Sequence, residues 1–351
     1  MSVNPHLVGL GTALPEHVVE RSEARAFVEQ MFSGRVRGLE RLLSVFEHPR
    51  MHTRHLIRPL AWYASTRDFA EKNRVYCEAA LALMETAANR ALERSEVARH
   101  AIVAVVVATS TGIATPSLDA TLVQRLGLSR SVQRVPLWGL GCAGGGAAVA
   151  RASALARGLG GAVLLVAVEV CSATFVPQDH RISNIVAASI FSDGAAAAVI
   201  VPEREGGGLE LLASHCRLFD DSQEVMGWDV TPEGFRVRFS KSIPQIVSEH
   251  TRSLVDAACG EAGVHASSLR HFLPHPGGPK VIEAYAQSLA IDESSLRHAW
   301  EVLRACGNMS SPTVLFVLER FLKAGPKKGS LGILMALGPG FCAETTVFRV
   351  R

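Results

Sequence analysis

The stretch Pro136-Leu-Trp-Gly-Leu-Gly-Cys-Ala-Gly-Gly-Gly-Ala147 sets one cysteine among glycines at a strand-to-helix turn. Ahead of it, Ser131-Val-Gln-Arg-Val-Pro-Leu-Trp138 is apolar enough for a short buried strand. Behind it, Ala147-Ala-Val-Ala-Arg-Ala-Ser-Ala-Leu-Ala-Arg157 is a strong helix former, ended by Gly158 and Gly160. A thiol at a helix N-terminus faces unpaired backbone N–H groups and the positive end of the dipole, and both favour the thiolate. Gly139, Gly141, Gly144 and Gly145 keep side chains away from the sulfur, so a substrate could approach it closely. Cys142 reads equally as a nucleophile or as a small residue packed between a helix and a sheet.

Working outward, Leu7–Pro15 reads as a first strand and Arg21 to Phe46 as one or two helices. Cys77 to Leu92 has helical periodicity, and Ala101–Ala108 is a near-continuous apolar run, as a parallel strand covered on both faces requires. Ser110–Pro116 is a loop and Ser117–Leu126 a helix; a second buried strand, Ala162–Val170, and a third, Asp193–Val201, follow. Strands alternating with helices indicate a layered α/β fold with a mostly parallel sheet. Glu203-Arg-Glu-Gly-Gly-Gly208 is the clear break in composition, which divides the chain into halves 1–205 and 206–351. The second half repeats the order of the first, with helices over Ile243–Cys259, Pro279–Leu289, Ser294–Leu303 and Met309–Leu322 and strands over His271–Pro274, Ser330–Leu337 and Glu344–Arg349. Cys142 opens a buried helix in one half and Asn308 precedes one in the other, so a duplicated architecture would bring both helix starts to a shared centre.

The 351 residues are 48% hydrophobic and 20% charged, which suits a large globular core and argues against disorder. A net charge of +3 without aromatic-basic interleaving argues against nucleic acid as a partner. Seven cysteines without CxxC or Cys/His spacing point to reduced thiols rather than disulfides or zinc. No basic-then-apolar leader or membrane-length apolar run is present, so a cytoplasmic protein is expected. Arginines crowd the segment Arg35 to Arg74, either as a solvated face or as a receptor for a phosphorylated ligand.

Acyl transfer at a cysteine needs a polarising partner for the thiol and donors for the oxyanion or enolate that forms. His275, in His271-Phe-Leu-Pro-His-Pro-Gly-Gly-Pro279, ends an apolar strand; Asn308, in Ala305-Cys-Gly-Asn-Met-Ser-Ser-Pro312, precedes an apolar helix. Taken singly, the first fits a loop histidine and the second a helix cap. Together with Cys142 they make a candidate Cys-His-Asn site.

Gly141-Cys-Ala-Gly-Gly145, His275-Pro-Gly-Gly-Pro279, Gly307-Asn-Met-Ser-Ser311 and Gly338-Pro-Gly-Phe341 resemble, in order and context, the signatures of type III polyketide synthases, the chalcone-synthase-like enzymes of the thiolase fold. The resemblance implies two similar α/β halves layered αβαβα, a homodimer, and acyl-CoA and malonyl-CoA as substrates, with no metal, redox cofactor or attached carrier. It implies that Cys142 carries the acyl chain as a thioester and that His275 and Asn308 hold the malonyl thioester oxygen. Phe191 matches a gatekeeping phenylalanine between the CoA tunnel and the cavity. Val237 stands where plant enzymes carry a second one, so the resemblance implies extra space there. Thr174 and Ser310 match cavity-lining positions, and Arg41, Arg54 and Lys280 fall near CoA-contacting ones. Thr115 replaces a methionine that in plant enzymes reaches across the dimer.

Met226-Gly-Trp-Asp-Val230, Pro59-Leu-Ala-Trp-Tyr63 and Glu71-Lys-Asn-Arg-Val-Tyr76 resemble the bacterial branch that makes alkylpyrones and alkylresorcinols from fatty acyl starters. The competing readings are a 3-oxoacyl-carrier-protein synthase III performing one condensation, and a non-catalytic thiolase-fold partner.

Overall fold

Ala162–Val170, eight apolar residues around Glu169, is buried along its whole length and lies inside a nine-stranded sheet. The computed structural model describes residues 4–48 and 50–351. Its strands are β1 (His6–Ala13), β2 (His17–Glu20), β3 (Thr53–Leu56), β4 (Ile102–Thr109), β5 (Gln133–Trp138), β6 (Ala162–Val170), β7 (Asp193–Val201), β8 (Leu209–Leu218), β9 (Met226–Thr231), β10 (Gly234–Phe239), β11 (Leu269–Pro274), β12 (Leu331–Gly338) and β13 (Cys342–Val350). The large sheet runs β11-β12-β13-β8-β1-β7-β6-β4-β5. Pairing is parallel for β5-β4-β6 and β11-β12 and antiparallel elsewhere, so the sheet is mixed rather than mostly parallel. The N-terminal five strands and the C-terminal four meet only through β1 and β8, at His6 with Glu210 and Leu7 with Leu209.

Two helices lie between the two parts of the sheet, and their sequences say why. Thr313–Lys323 is apolar nearly all round, with Thr313 through Glu319 all buried, because both of its faces meet protein. Gly144–Leu159 is built of glycine and alanine, so it can come very close to its neighbours: a Cβ on Gly145 would stand 2.2 Å from the Ser311 carbonyl oxygen. Helix Phe69–Ser95 covers the outside of the N-terminal strands and Ile243–Glu261 the outside of the C-terminal ones, with Pro279–Leu289 packed beside it. The layers are therefore α, β, α, β, α, with each large apolar side chain buried worth roughly 1.5–3 kcal/mol.

Three further expectations change here. β5 is the exposed edge of the sheet, not a buried strand: alternate residues face solvent and Trp138 is 51% exposed. β8 and the hairpin β9–β10 stand where no strands were expected. The glycines around Cys142 serve packing rather than substrate approach, since Gly141 backs onto Pro339, Gly144 and Gly145 onto Ser311. All seven cysteines are unpaired, and no helix among the described residues is long and apolar enough to cross a membrane.

Candidate active site

Cys142 sits in a tight turn, Gly141–Ala143, directly ahead of helix Gly144–Leu159. Its thiol donates to Ser310 Oγ at 3.5 Å. Ser310 belongs to the turn ahead of the other buried helix and holds a positive φ of 59°. The two helix starts do converge, as the repeated order of elements implies. The low thiol pKa does not follow, however. Burial pushes Cys142 up to about 11, outweighing the hydrogen bonds of Ser310 and Asn308 that favour the thiolate.

His275 follows β11, anchored by its own N–H to the Met335 carbonyl at 2.7 Å. Its ring is buried, and neither nitrogen has a protein partner among the described residues. Burial depresses it to about 3, so the imidazole is neutral at physiological pH. The resting site thus holds a thiol beside a neutral imidazole rather than the ion pair that a depressed thiol pKa would give. Asn308 is fixed from several sides: its N–H donates to the Ile190 carbonyl (2.8 Å), Nδ2 to the Gly277 carbonyl (3.0 Å), and Oδ1 accepts from the Ser310 N–H (2.8 Å). The Nδ2–Gly277 bond ties Asn308 to the loop that carries His275. An amide nitrogen carries two hydrogens, so one donor stays available.

Cys142, His275 and Asn308 line one cavity of about 470 Å³, whose other walls include Ile182, Val186, Met226, Phe239, Tyr285 and Phe341. An adjoining cavity of about 580 Å³ shares Val186, Ile190, Lys280 and Val281 with it and adds Arg41, Ser44, His48 and Met51. Arg41 and Lys280 therefore line the same adjoining cavity. Arg54 does not. It lies on β3 with 3% of its surface exposed and faces a third cavity with Thr174, Phe191 and Val237, so it does not reach a CoA held by Arg41 and Lys280.

Phe191 stands between the third cavity, which it lines, and the Cys142 cavity, where its ring packs 5.5 Å from that of Phe239. Val237 does not simply leave space. On the β9–β10 hairpin it pairs directly with Trp228, whose ring lies 6.3 Å from Phe191, so bulk missing from one strand is supplied by the other. Thr174 donates its hydroxyl to the Cys171 carbonyl and faces the Arg54 side, not the Cys142 side. Thr115 lines a surface pocket with Trp138 and Ile113.

Sequence reasoning missed Phe239, Trp228 and Glu169. The first was legible in the alternation Phe235, Val237, Phe239, which puts all three on one face of a strand. The last was legible as the one charge in an apolar strand. Glu169 accepts from the Ser110 N–H, the Ser110 and Thr111 hydroxyls and the Ser311 hydroxyl, all within 3.0 Å, joining the ends of β4 and β6 to the turn beside Ser310. Burial raises it to about 7 against those four donors.

Comparison with known proteins agrees along the whole chain. The profile for "Chalcone and stilbene synthases, N-terminal domain" matches residues 3–203, and the corresponding C-terminal profile residues 210–351. A "putative chalcone synthase" of Bacillus subtilis is 37% identical over 97% of this chain and 98% of its own length. A "1,3,6,8-tetrahydroxynaphthalene synthase" of Streptomyces peucetius is 36% identical over 96% and 91%. An "alpha-pyrone synthesis polyketide synthase-like" protein of Mycobacterium tuberculosis is 31% identical over 97% and 90%. The crystal structure of 1,3,6,8-tetrahydroxynaphthalene synthase from Streptomyces coelicolor, described as a bacterial type III polyketide synthase, superposes with a TM-score of 0.94 at 28% identity, covering 99% of both chains.

Proposed function

Because the chain belongs to the chalcone and stilbene synthase family and is a type III polyketide synthase, an acyltransferase, we propose that it primes on a medium- or long-chain acyl-CoA, extends it with malonyl-CoA, and releases an alkylpyrone or alkylresorcinol. The observation that carries this reading is the largely apolar cavity at Cys142, His275 and Asn308 and the adjoining cavity, lined by Arg41 and Lys280, with which it shares a wall. Its apolar walls suit an alkyl chain, and a relative bears an alpha-pyrone name. Arg41 and Lys280 would receive the CoA phosphates.

The residues divide the chemistry as follows. The neutral His275 ring takes the Cys142 proton, the sulfur attacks the starter carbonyl, and the CoA thiolate leaves with a proton. Malonyl-CoA then loses CO2, and the electron pair left behind is held as an enolate whose oxygen accepts from the His275 N–H and the free Asn308 N–H. The enolate carbon attacks the acyl-cysteine carbonyl, a C–C bond forms, the C–S bond breaks, and the Cys142 sulfur is freed for the next round. A homodimer belongs to the same reading, since edge strand β5 exposes Trp138 beside Ile113, which is itself 47% exposed.

The test is incubation with isotopically labelled malonyl-CoA and acyl-CoAs from acetyl to stearoyl, followed by mass spectrometry, with Cys142→Ala as control. Tri- and tetraketide pyrones or resorcinols with alkyl tails are expected, absent from the control. A lone condensation product, or activity only with acyl-carrier-protein substrates, would contradict it.

A further inference from the structure

Arg54 is the buried cation for which the site described above has no use. Its side chain is buried, with 3% of the residue's surface exposed, and none of its three guanidinium nitrogens has a hydrogen-bond partner among the described residues. The charged group acting on it is another cation, Arg21, which makes the burial less favourable still. The remaining polar side chains around the same cavity are all engaged: the Tyr63 hydroxyl with Ser172 Oγ (2.7 Å), Ser172 with Asp193, Thr174 with the Cys171 carbonyl, and the Asn184 amide with the Val176 and Asp179 carbonyls. Arg54 alone among them is left facing apolar walls made by Phe27, Leu56, Phe191 and Val237.

A buried, uncompensated guanidinium is costly, and its planar fork matches a carboxylate. The cavity is small, about 70 Å³ against about 470 Å³ for the one at Cys142. That size suits a short chain. Its position is also close to the reacting centre: a Cβ on Gly307 would lie 3.4 Å from Arg54 Cγ, so the arginine arm runs past the turn that carries Asn308, and Phe191, which lines the cavity, packs 5.5 Å from Phe239 of the Cys142 cavity.

We propose that the Arg54 cavity is a second ligand site, which takes a carboxylate borne on a short acyl chain, its oxygens paired with the guanidinium and its methylenes against Phe191 and Val237. The carboxylate has two sources: the far end of a carboxyacyl starter loaded on Cys142, or a free short-chain acid. An alkyl starter has no reason to end there, because a methyl group leaves the guanidinium as bare as before. The site rests on geometry alone; only the first source rests on the function proposed above.

Valerate and its neutral amide, valeramide, separate these possibilities by calorimetry and thermal melting of the full chain. Valerate is expected to bind and raise the melting temperature, valeramide to do neither. Arg54→Met is expected to fold with an unchanged or higher melting temperature in the absence of valerate, since it removes an unpaired buried charge, and to bind valerate about 10- to 100-fold more weakly. Val237→Phe, which adds bulk to the cavity lining with Arg54 intact, is expected to abolish the valerate effect. Valerate binding that survives both substitutions, no binding to the unaltered chain, or equal binding of valeramide would overturn the proposal. The starter arm compares glutaryl-CoA with hexanoyl-CoA as primers: a glutaryl-to-hexanoyl product ratio that falls about tenfold or more in Arg54→Met assigns the carboxylate to the starter. Valerate binding with no glutaryl-primed product assigns it to a free acid. If no acyl-CoA yields any product, the proposed function fails while the valerate result still decides the site.

Discussion

The Cys142 and Arg54 cavities lie on either side of Phe191 and handle buried polarity in opposite ways. On the Cys142 side the three reacting groups are neutral near pH 7: burial lifts the thiol to about 11 and depresses the imidazole to about 3, and the Asn308 amide is held by its hydrogen bonds. On the Arg54 side burial lowers the guanidinium only to about 10, so a full charge persists without a partner. A neutral site can stay buried at little cost and become charged only when substrate brings the countercharge; a permanently charged one must find its countercharge in a ligand. One wall therefore separates a place for chemistry from a place for recognition.

Removing a donor on the neutral side is the largest expected effect. Asn308→Ala should lower kcat for polyketide formation by about 100- to 1,000-fold, the usual loss for one oxyanion donor, while acyl transfer to Cys142 is affected less. Steady-state and single-turnover kinetics would separate the two, and equal losses in both steps would break the assignment. A smaller effect sharpens the neutrality claim. With the thiol near 11, iodoacetamide labelling of Cys142 should rise about tenfold per pH unit between pH 8 and 10, as the thiolate fraction does. Labelling that is already flat from pH 7 would mean a depressed thiol and an ion pair with His275.

A last expected effect, on stability rather than rate, lies beneath the Cys142 side, where Glu169 combines burial with four donated hydrogen bonds. Its folded-state pKa is raised from 4.5 to about 7, so the folded chain binds a proton that the unfolded chain has lost over that interval. The contribution is fully present below pH 4.5 and fades as pH rises through 7, by up to about 3 kcal/mol. Denaturant melts of Glu169→Gln should show a flatter stability profile between pH 5 and 7.5 than the unaltered chain. A parallel pair of profiles would show that the carboxyl is ionised throughout.

Much of this arrangement was legible in residues whose neighbours in sequence are also their neighbours in space. The apolar runs of β4 and β6 and the Gly-Ala helix after Cys142 needed only local pattern, and the matching order of the halves carried Asn308 to the Cys142 side. Arg54 was misread because β3 is four residues long, too short for alternation to show which face is inward. Val237 was read without Trp228, since β9 and its register with β10 are tertiary facts. The thiol was misjudged for a physical reason: the helix dipole is a surface-strength effect of about a kcal/mol, and complete desolvation exceeds it.

The measurement that bears most directly on the account is peptide mass spectrometry of the full chain after brief exposure to a medium-chain acyl-CoA such as decanoyl-CoA, without malonyl-CoA. One decanoyl group is expected, on the peptide containing Cys142, bound as a hydroxylamine-labile thioester and missing in Cys142→Ala. An adduct on Cys171 or any other cysteine, or no adduct with a folded protein, would contradict it.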